Sequence, residues 1–155
     1  MMFGSERIIK LMKQKERFKG LQPQPEKIIP TPLQKDILQH IGSQAVITGS
    51  YALRYYKPHY VARDIDIVTP YKKSVSYNIV NNLNVKYNNR FEVRKSYNAY
   101  RVWDKKKHGY VLDIASYPIH QNDYTVVNGM KVAKPRYVIR GKIRRVRTQH
   151  IPRFW

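Results

Sequence analysis

Residues Ala45–Val68, AVITGSYALRYYKPHYVARDIDIV, decide how the rest of the chain is read. A short apolar run leads into Gly49-Ser50, a short helical segment follows, and a second apolar run carries Asp64 and Asp66. In an extended segment side chains alternate between faces, so Asp64 and Asp66 share one face while Ile65 and Ile67 take the other. Two carboxylates side by side on an otherwise hydrophobic strand repel each other and resist burial. A divalent cation with oxygen ligands is the direct way to compensate them.

Outward from that stretch, composition sets the bounds. The chain has 155 residues, room for one domain with a real core. A hydrophobic fraction of 42% and 13 tyrosines argue against disorder. No apolar run approaches the length of a membrane span. The N-terminal MMFGSERIIKLMKQKERFKG is broken by charge every few residues, unlike a secretory leader, and Glu6, Glu16 and the scarcity of serine weigh against a transit peptide. The absence of cysteine removes disulfides and thiolate metal sites and suits an intracellular location, cytoplasmic or within a virion. Thirty Lys and Arg against ten Asp and Glu give a formal charge of +20. Nine Lys or Arg follow Asp123 with no further acid. Such a field captures polyanions, which makes nucleic acid the first partner class and an anionic membrane or acidic protein its rival.

Three segments follow from the patterning: a basic arm and Pro-rich linker over 1–31, a domain over 32–148, and a tail over 149–155. Within the arm, Ile8, Ile9, Leu11 and Met12 among basic residues fit either an amphipathic helix or a solvated arm. GLQPQPEKIIPTP reads as an extended linker. Thr31-Pro32 is a helix start, Leu33, Ile37, Leu38 and Ile41 form an apolar face, and Gly42 is the expected stop. Thr69-Pro70 ends the second strand. A helix is expected over 72–84, strands over 90–94, 97–103 and 110–115, and a two-residue hairpin turn at Asn128-Gly129. Lys134-Pro135 opens a last helix with Val138, Ile139, Ile143 and Val146 inward, and Arg136, Arg140, Arg144 and Arg147 along its other side. The order predicts an α/β (α+β) domain with a mixed, largely antiparallel sheet flanked by helices.

Three carboxylates, Asp64, Asp66 and Asp113, come from two strands and suit one or two Mg²⁺ ions. Gly49 permits close backbone approach to a phosphate, and Ser50 offers a hydroxyl and an amide at the start of a helix.

In this order ITGSYAL, RDIDIV and VLDIAS resemble the nucleotidyltransferase superfamily of the DNA polymerase β type, whose signature is a Gly-Gly or Gly-Ser turn, Asp-x-Asp and a third carboxylate on a later strand. VAKPRYVIRGKI resembles the strand and lysine-bearing helix of small bacterial nucleotidyltransferases and of abortive-infection toxins. The resemblance covers roughly residues 33–148. It implies a polymerase β-like core and Mg²⁺- or Mn²⁺-dependent transfer of a nucleoside monophosphate from an NTP to a hydroxyl. By it, Asp64 and Asp66 bind both metals, while Asp113 binds the catalytic metal and orients or deprotonates the acceptor. Gly49, Ser50, Arg63 and Lys142 are nucleotide-binding. The chain departs from larger members in having no helical domain after the lysine helix, and IPRFW lacks the acid that toxin-like members place there.

Other readings stand beside these. The aspartates also suit a salt-bridged pair on a basic edge strand, and Lys142 a solvated position. The stripe Arg136, Arg140, Arg144 and Arg147 fits a solvated face or phosphate contact. Tyr55, Tyr56 and Tyr60 fit base stacking or helix packing. No histidine pair has metal-ligand spacing. The activity expected is NMP transfer to RNA, with a protein hydroxyl or a small molecule as other acceptors. The alternative is a nucleotidyltransferase-fold subunit that binds nucleic acid or builds a larger assembly, such as a virion or ribonucleoprotein.

Overall fold

The apolar runs on either side of Gly49-Ser50 become neighbouring antiparallel strands. The computed structural model describes residues 4–149, so the tail expected beyond Gln149 lies outside the described residues. In it β1 (Val46–Thr48) pairs with β2 (Ile65–Val68), with Thr48 opposite Asp66 and Ile47 opposite Ile67. β3 (Phe91–Lys95), β4 (Ala99–Asp104) and β5 (Gly109–Ala115) form an antiparallel meander, and β5 lies parallel to β2. β6 (Tyr124–Val127) and β7 (Met130–Ala133) form the expected hairpin, and β7 lies parallel to β1. Asn128 and Gly129 turn it with φ of 50° and 80°, the left-handed pair that a tight hairpin requires. The sheet has seven strands in the order β3-β4-β5-β2-β1-β7-β6. With its flanking helices it is the expected α+β fold, mixed and largely antiparallel.

Five helices surround it: α1 (Gly4–Phe18), α2 (Pro32–Gln39), α3 (Gly49–Arg54), α4 (Lys72–Tyr87) and α5 (Pro135–Gln149). One sheet face presents Ile47, Ile65, Ile67, Val102, Leu112 and Ile114, none more than 1% exposed. α4 packs on β3, β4 and β5 through buried Ile79 and Leu83, and its Tyr77 meets Tyr100 edge-on. α2 starts on a reciprocal cap: the Gln34 N–H donates to Thr31 Oγ1 (3.1 Å) and the Thr31 N–H to Gln34 Oε1 (3.0 Å). It ends at Gln39, ahead of the expected Gly42.

α4 outruns its expected end by three residues, 84 to 87. The Asn84 amide exchanges two hydrogen bonds with the Phe91 backbone, both 2.9 Å, and so ties the helix to β3. Asn88 and Asn89 then end it in the left-handed region, at φ of 54° and 60°. The Pro-rich segment is extended apart from one turn at Pro25–Lys27, and the core holds it: the Gln24 N–H donates to the Tyr55 carbonyl (2.6 Å) and Arg54 to the Ile29 carbonyl (3.3 Å).

Of the two forms open for the N-terminal segment, residues 4–18 take the helical one, and α1 packs on α5. Its rotation differs from the richest apolar stripe: Ile9 and Met12 are 53% and 55% exposed. Phe18 sets the orientation. It is buried, meets Tyr60 edge-on at 6.2 Å and carries Lys57 Nζ over its ring at 4.7 Å.

The meander is fastened by Asp104, whose side chain is fully buried at the end of β4. Its carboxylate takes Arg90 Nε (2.8 Å) and Nη2 (2.6 Å), plus the backbone N–H groups of Lys106 and Lys107 in the β4–β5 turn. The Arg90 hydrogen bonds hold the Asp104 carboxyl below the usual carboxylate range. Asp104→Ala is expected to cost about 3 kcal/mol at neutral pH, because it strips a buried pair of one partner. The depressed value means that this stability is present above the ordinary carboxylate range and is lost as pH falls below about 4. Denaturant titrations at pH 7 and pH 3 check this: the deficit of the variant shrinks at the lower pH.

Candidate active site

Pairing register places the proposed catalytic residues in one row across five strands. Thr48 lies opposite Asp66, Asp66 beside Asp113, Asp113 opposite Arg101, and Arg101 opposite Arg94. Neighbouring strands sit about 4.8 Å apart, so the Asp66 and Asp113 side chains leave the sheet as immediate neighbours. They leave by the face opposite Ile65, Ile67, Leu112 and Ile114. Asp64 shares that side but stands just ahead of β2 rather than on it. β1 pairs β2 only as far as Asp66, and Ile65 is held by β5 alone, so the strand ends there.

Gly49 is fixed by space as well as by backbone. Its φ is +66°, and a Cβ there would come within 2.9 Å of Asp66 Cβ and Cγ and closer still to Oδ2. The Gly-Ser turn is thus pressed against the second aspartate. α3 has only six residues, so little helix dipole stands behind the turn. Side chains supply the positive charge instead. Lys142 of α5 donates to Ser50 Oγ (3.1 Å) and Tyr60 Oη (3.4 Å). Arg145, one turn further along α5, lines the same cleft. The cavity has about 420 Å³ and is lined by Gly49, Ser50, Asp66, Lys142 and Arg145. Arg7, Leu11 and Gln14 of α1 form another wall.

Of the residues named from the sequence, Asp64, Asp66, Asp113, Gly49, Ser50 and Lys142 are brought to one side of the molecule. Arg63 is exposed and does not line the cavity. The α5 stripe lies elsewhere on the helix: Arg136 donates to the Asn122 carbonyl (3.2 Å), Arg140 pairs with Asp123 (3.4 Å), and Arg144 and Arg147 are exposed. Tyr55 and Tyr56 are buried packing residues, whereas Tyr60 reaches the cleft. Sequence reading missed Arg7, Gln14, Arg101 and Arg145. Arg145 follows Lys142 at i+3, a spacing that shares a helix face. Arg101 could be found only from strand register.

The electrostatics follow from this crowding. Burial, then Asp64 and Asp113, push the Asp66 carboxyl up to about 7, against Arg145 and Lys142. Burial also raises Asp113, opposed by Arg101, whose Nε lies 3.2 Å from Asp113 Oδ2. That Nε is buried without a well-aligned acceptor. Clustered carboxylate oxygens suit a hard cation such as Mg²⁺. Among the described residues no three carboxylate or imidazole groups close around one point. Mg²⁺ takes one or two carboxylates directly and completes its shell with water and substrate phosphates. The donor set therefore fits the ion, with Asp64 and Asp66 as the residues that would hold it and Asp113 beside them.

A raised folded-state value means that the Asp66 contribution to stability is present below about pH 4 and is lost as pH rises through about 7. In chelator-treated protein, thermal midpoints across pH 4 to 8 are expected to fall less steeply for Asp66→Asn than for the unaltered chain.

No protein-family model matches this chain, and no curated protein sequence matches it. Solved structures do. A "putative nucleotidyltransferase" from Helicobacter pylori aligns with 71% of this chain at 20% identity and a TM-score of 0.50, over 54% of its own length. The Helicobacter pylori protein JHP933 aligns with 78% at 18% identity and 0.51, over 57% of its own length. A Thermotoga maritima protein with the same name as the first aligns with 81% at 18% identity and 0.50, over 92% of its own length. The aligned part is thus a little over half of each Helicobacter protein and nearly all of the Thermotoga one. The chain has a nucleotidyltransferase-like fold.

Proposed function

We propose that the chain is a nucleotidyltransferase, using Mg²⁺ or Mn²⁺, that moves a nucleoside monophosphate from an NTP to a hydroxyl of a nucleic acid, RNA foremost. The observation that carries the proposal is the row Asp66–Asp113 beside a cleft lined by Ser50, Lys142 and Arg145. In the reaction an acceptor oxygen bonds to the α-phosphorus while the bond from that phosphorus to the β-phosphate bridging oxygen breaks. Pyrophosphate leaves. Asp113, raised by burial, is positioned to take the hydroxyl proton. Ser50, Lys142 and Arg145 hold the β- and γ-phosphates, and Gly49 lets the chain approach them. When bound through Asp64 and Asp66, the metal ion supplies Lewis-acid stabilisation of the charge that develops on the phosphates.

The acceptor side is argued from the same row. On β3–β5, α4 covers the Tyr100 side, while the side bearing Asp113 carries Glu92, Arg94, Arg101, Trp103 and Tyr110, with Arg94 paired to Glu92 (2.7 Å). Arg94 stacks on Trp103 (4.0 Å), Trp103 meets Tyr110 edge-on (4.9 Å), and Arg101 lies over Tyr110 (5.1 Å). Cations interleaved with aromatic rings beside the third carboxylate suit a single strand, whose bases stack and whose phosphates pair. The net charge of +20 favours the same class of acceptor.

Incubation with labelled NTPs, Mg²⁺ and total RNA tests the enzyme. Transfer is expected to fall at least about a hundredfold in Asp64→Asn/Asp66→Asn while RNA binding persists. Equal and negligible transfer by both proteins, with RNA still bound, leaves the non-enzymatic subunit in its place. For the acceptor face, Trp103→Ala is expected to weaken RNA binding about tenfold in filter or anisotropy titrations, at unchanged thermal midpoint.

A further inference from the structure

We infer that α1 is a working wall of the nucleotide cleft and that Arg7 is a triphosphate-binding residue. This rests on the nucleotide reading above and adds residues that neither the motifs nor the sheet supply. The helix meets the cleft through Arg7, Leu11 and Gln14, and Phe18 continues the same stripe into the core. Positions 7, 11, 14 and 18 recur at helical spacing, so the inward face is chosen as a unit. Its composition is unusual for a face held only by packing. Arg7 and Gln14 line the cleft, Arg7 itself exposed and Gln14 half-buried, while the apolar Ile9 and Met12 stand in solvent. The inward face keeps Leu11 and Phe18 for packing and still admits two polar side chains at the cleft. What the observed rotation gains is a third cation, Arg7, in a cavity that already holds Lys142 and Arg145. The carboxylate among the lining residues is Asp66. Three cations around about 420 Å³ match a polyphosphate in charge and in size.

A hydrogen-bond chain couples the helix to the phosphate turn. Gln14 Nε2 donates to Tyr60 Oη (2.9 Å), and Lys142 Nζ donates to the same Tyr60 Oη and to Ser50 Oγ. The position of α1 therefore sets where Tyr60 stands and how Lys142 is held. Tyr60, left open from the sequence between packing and base stacking, becomes the link between α1 and the Lys142–Ser50 pair.

Anisotropy titration of a fluorescent ribonucleoside triphosphate, with Mg²⁺ present, is the test. Arg7→Ala is expected to weaken binding about tenfold, the worth of one charge-assisted hydrogen bond to phosphate. Arg7→Lys, which keeps the charge and loses the fork, is expected to fall between. Arg17→Ala, on the same helix but away from the cleft lining, controls for net charge and is expected to stay within about twofold. If the unaltered chain binds and Arg7→Ala binds equally well, the inference about α1 is overturned and the nucleotide site stands. If the unaltered chain binds no triphosphate, the nucleotide reading itself falls and takes this inference with it.

Discussion

Two carboxylates side by side on the polar face of a hydrophobic sheet, Asp66 and Asp113, with Asp64 just ahead of them, constrain the groups around them. At about 5 Å and an effective dielectric near 20, two such charges repel by roughly 3 kcal/mol. A fold that keeps Asp66 beside Asp113 must meet that cost locally. It does so with Arg101 across β4–β5, with Lys142 and Arg145 from α5, and with a partly protonated Asp66. Gly49 is the steric side of the same constraint, since a side chain there would collide with the carboxylate it serves. Remove the carboxylates and neither the buried, poorly aligned Nε of Arg101 nor the left-handed backbone of Gly49 has a purpose.

The fold was legible because it is written in local patterns. Alternating apolar residues mark the central strands, Thr31-Pro32 starts α2, Asn128-Gly129 turns the last hairpin, and Lys134-Pro135 opens α5. These signals depend on neighbours a few residues away. The Asp-x-Asp and Gly-Ser elements are local as well, and they carried the site hypothesis. What stayed hidden depends on long-range partners. Arg101 reaches Asp113 only through the pairing of β4 with β5, and a lone Arg in YNAYRVW gives no sign of it. Arg7 enters the cleft because Phe18 and Tyr60 rotate α1, so the apolar residues that stood out in the sequence, Ile9 and Met12, face solvent. Asp64 lies just ahead of β2, whose first residue, Ile65, pairs with β5 alone.

The likeness to solved structures at 18–20% identity fits this division. A sheet needs apolar residues on alternate positions, and many sequences satisfy that, so the architecture persists while most identities drift. The site is less permissive. Close approach of a turn to a carboxylate admits only glycine at position 49, whereas the positive charge around the cleft can come from any element that reaches it. In this chain it comes from α5 and α1, and α1 lies outside the stretch that carried the resemblance.

The hydrogen bond from Lys142 to Ser50 closes a span of 92 residues, and the one from Gln14 to Tyr60 closes 46. The cleft is therefore stitched together by long loops, while β3, β4 and β5 are joined by short turns. Loops of that length close late, and the contacts they make are few and partly exposed, which puts the cleft among the first regions to open. During synthesis the carboxylate row and Arg101 can come together once β5 has emerged, but Lys142 and Arg145 arrive only with α5. The unfinished protein thus passes through a stage in which Asp113 has Arg101 beside it while Asp66 still waits for Lys142 and Arg145.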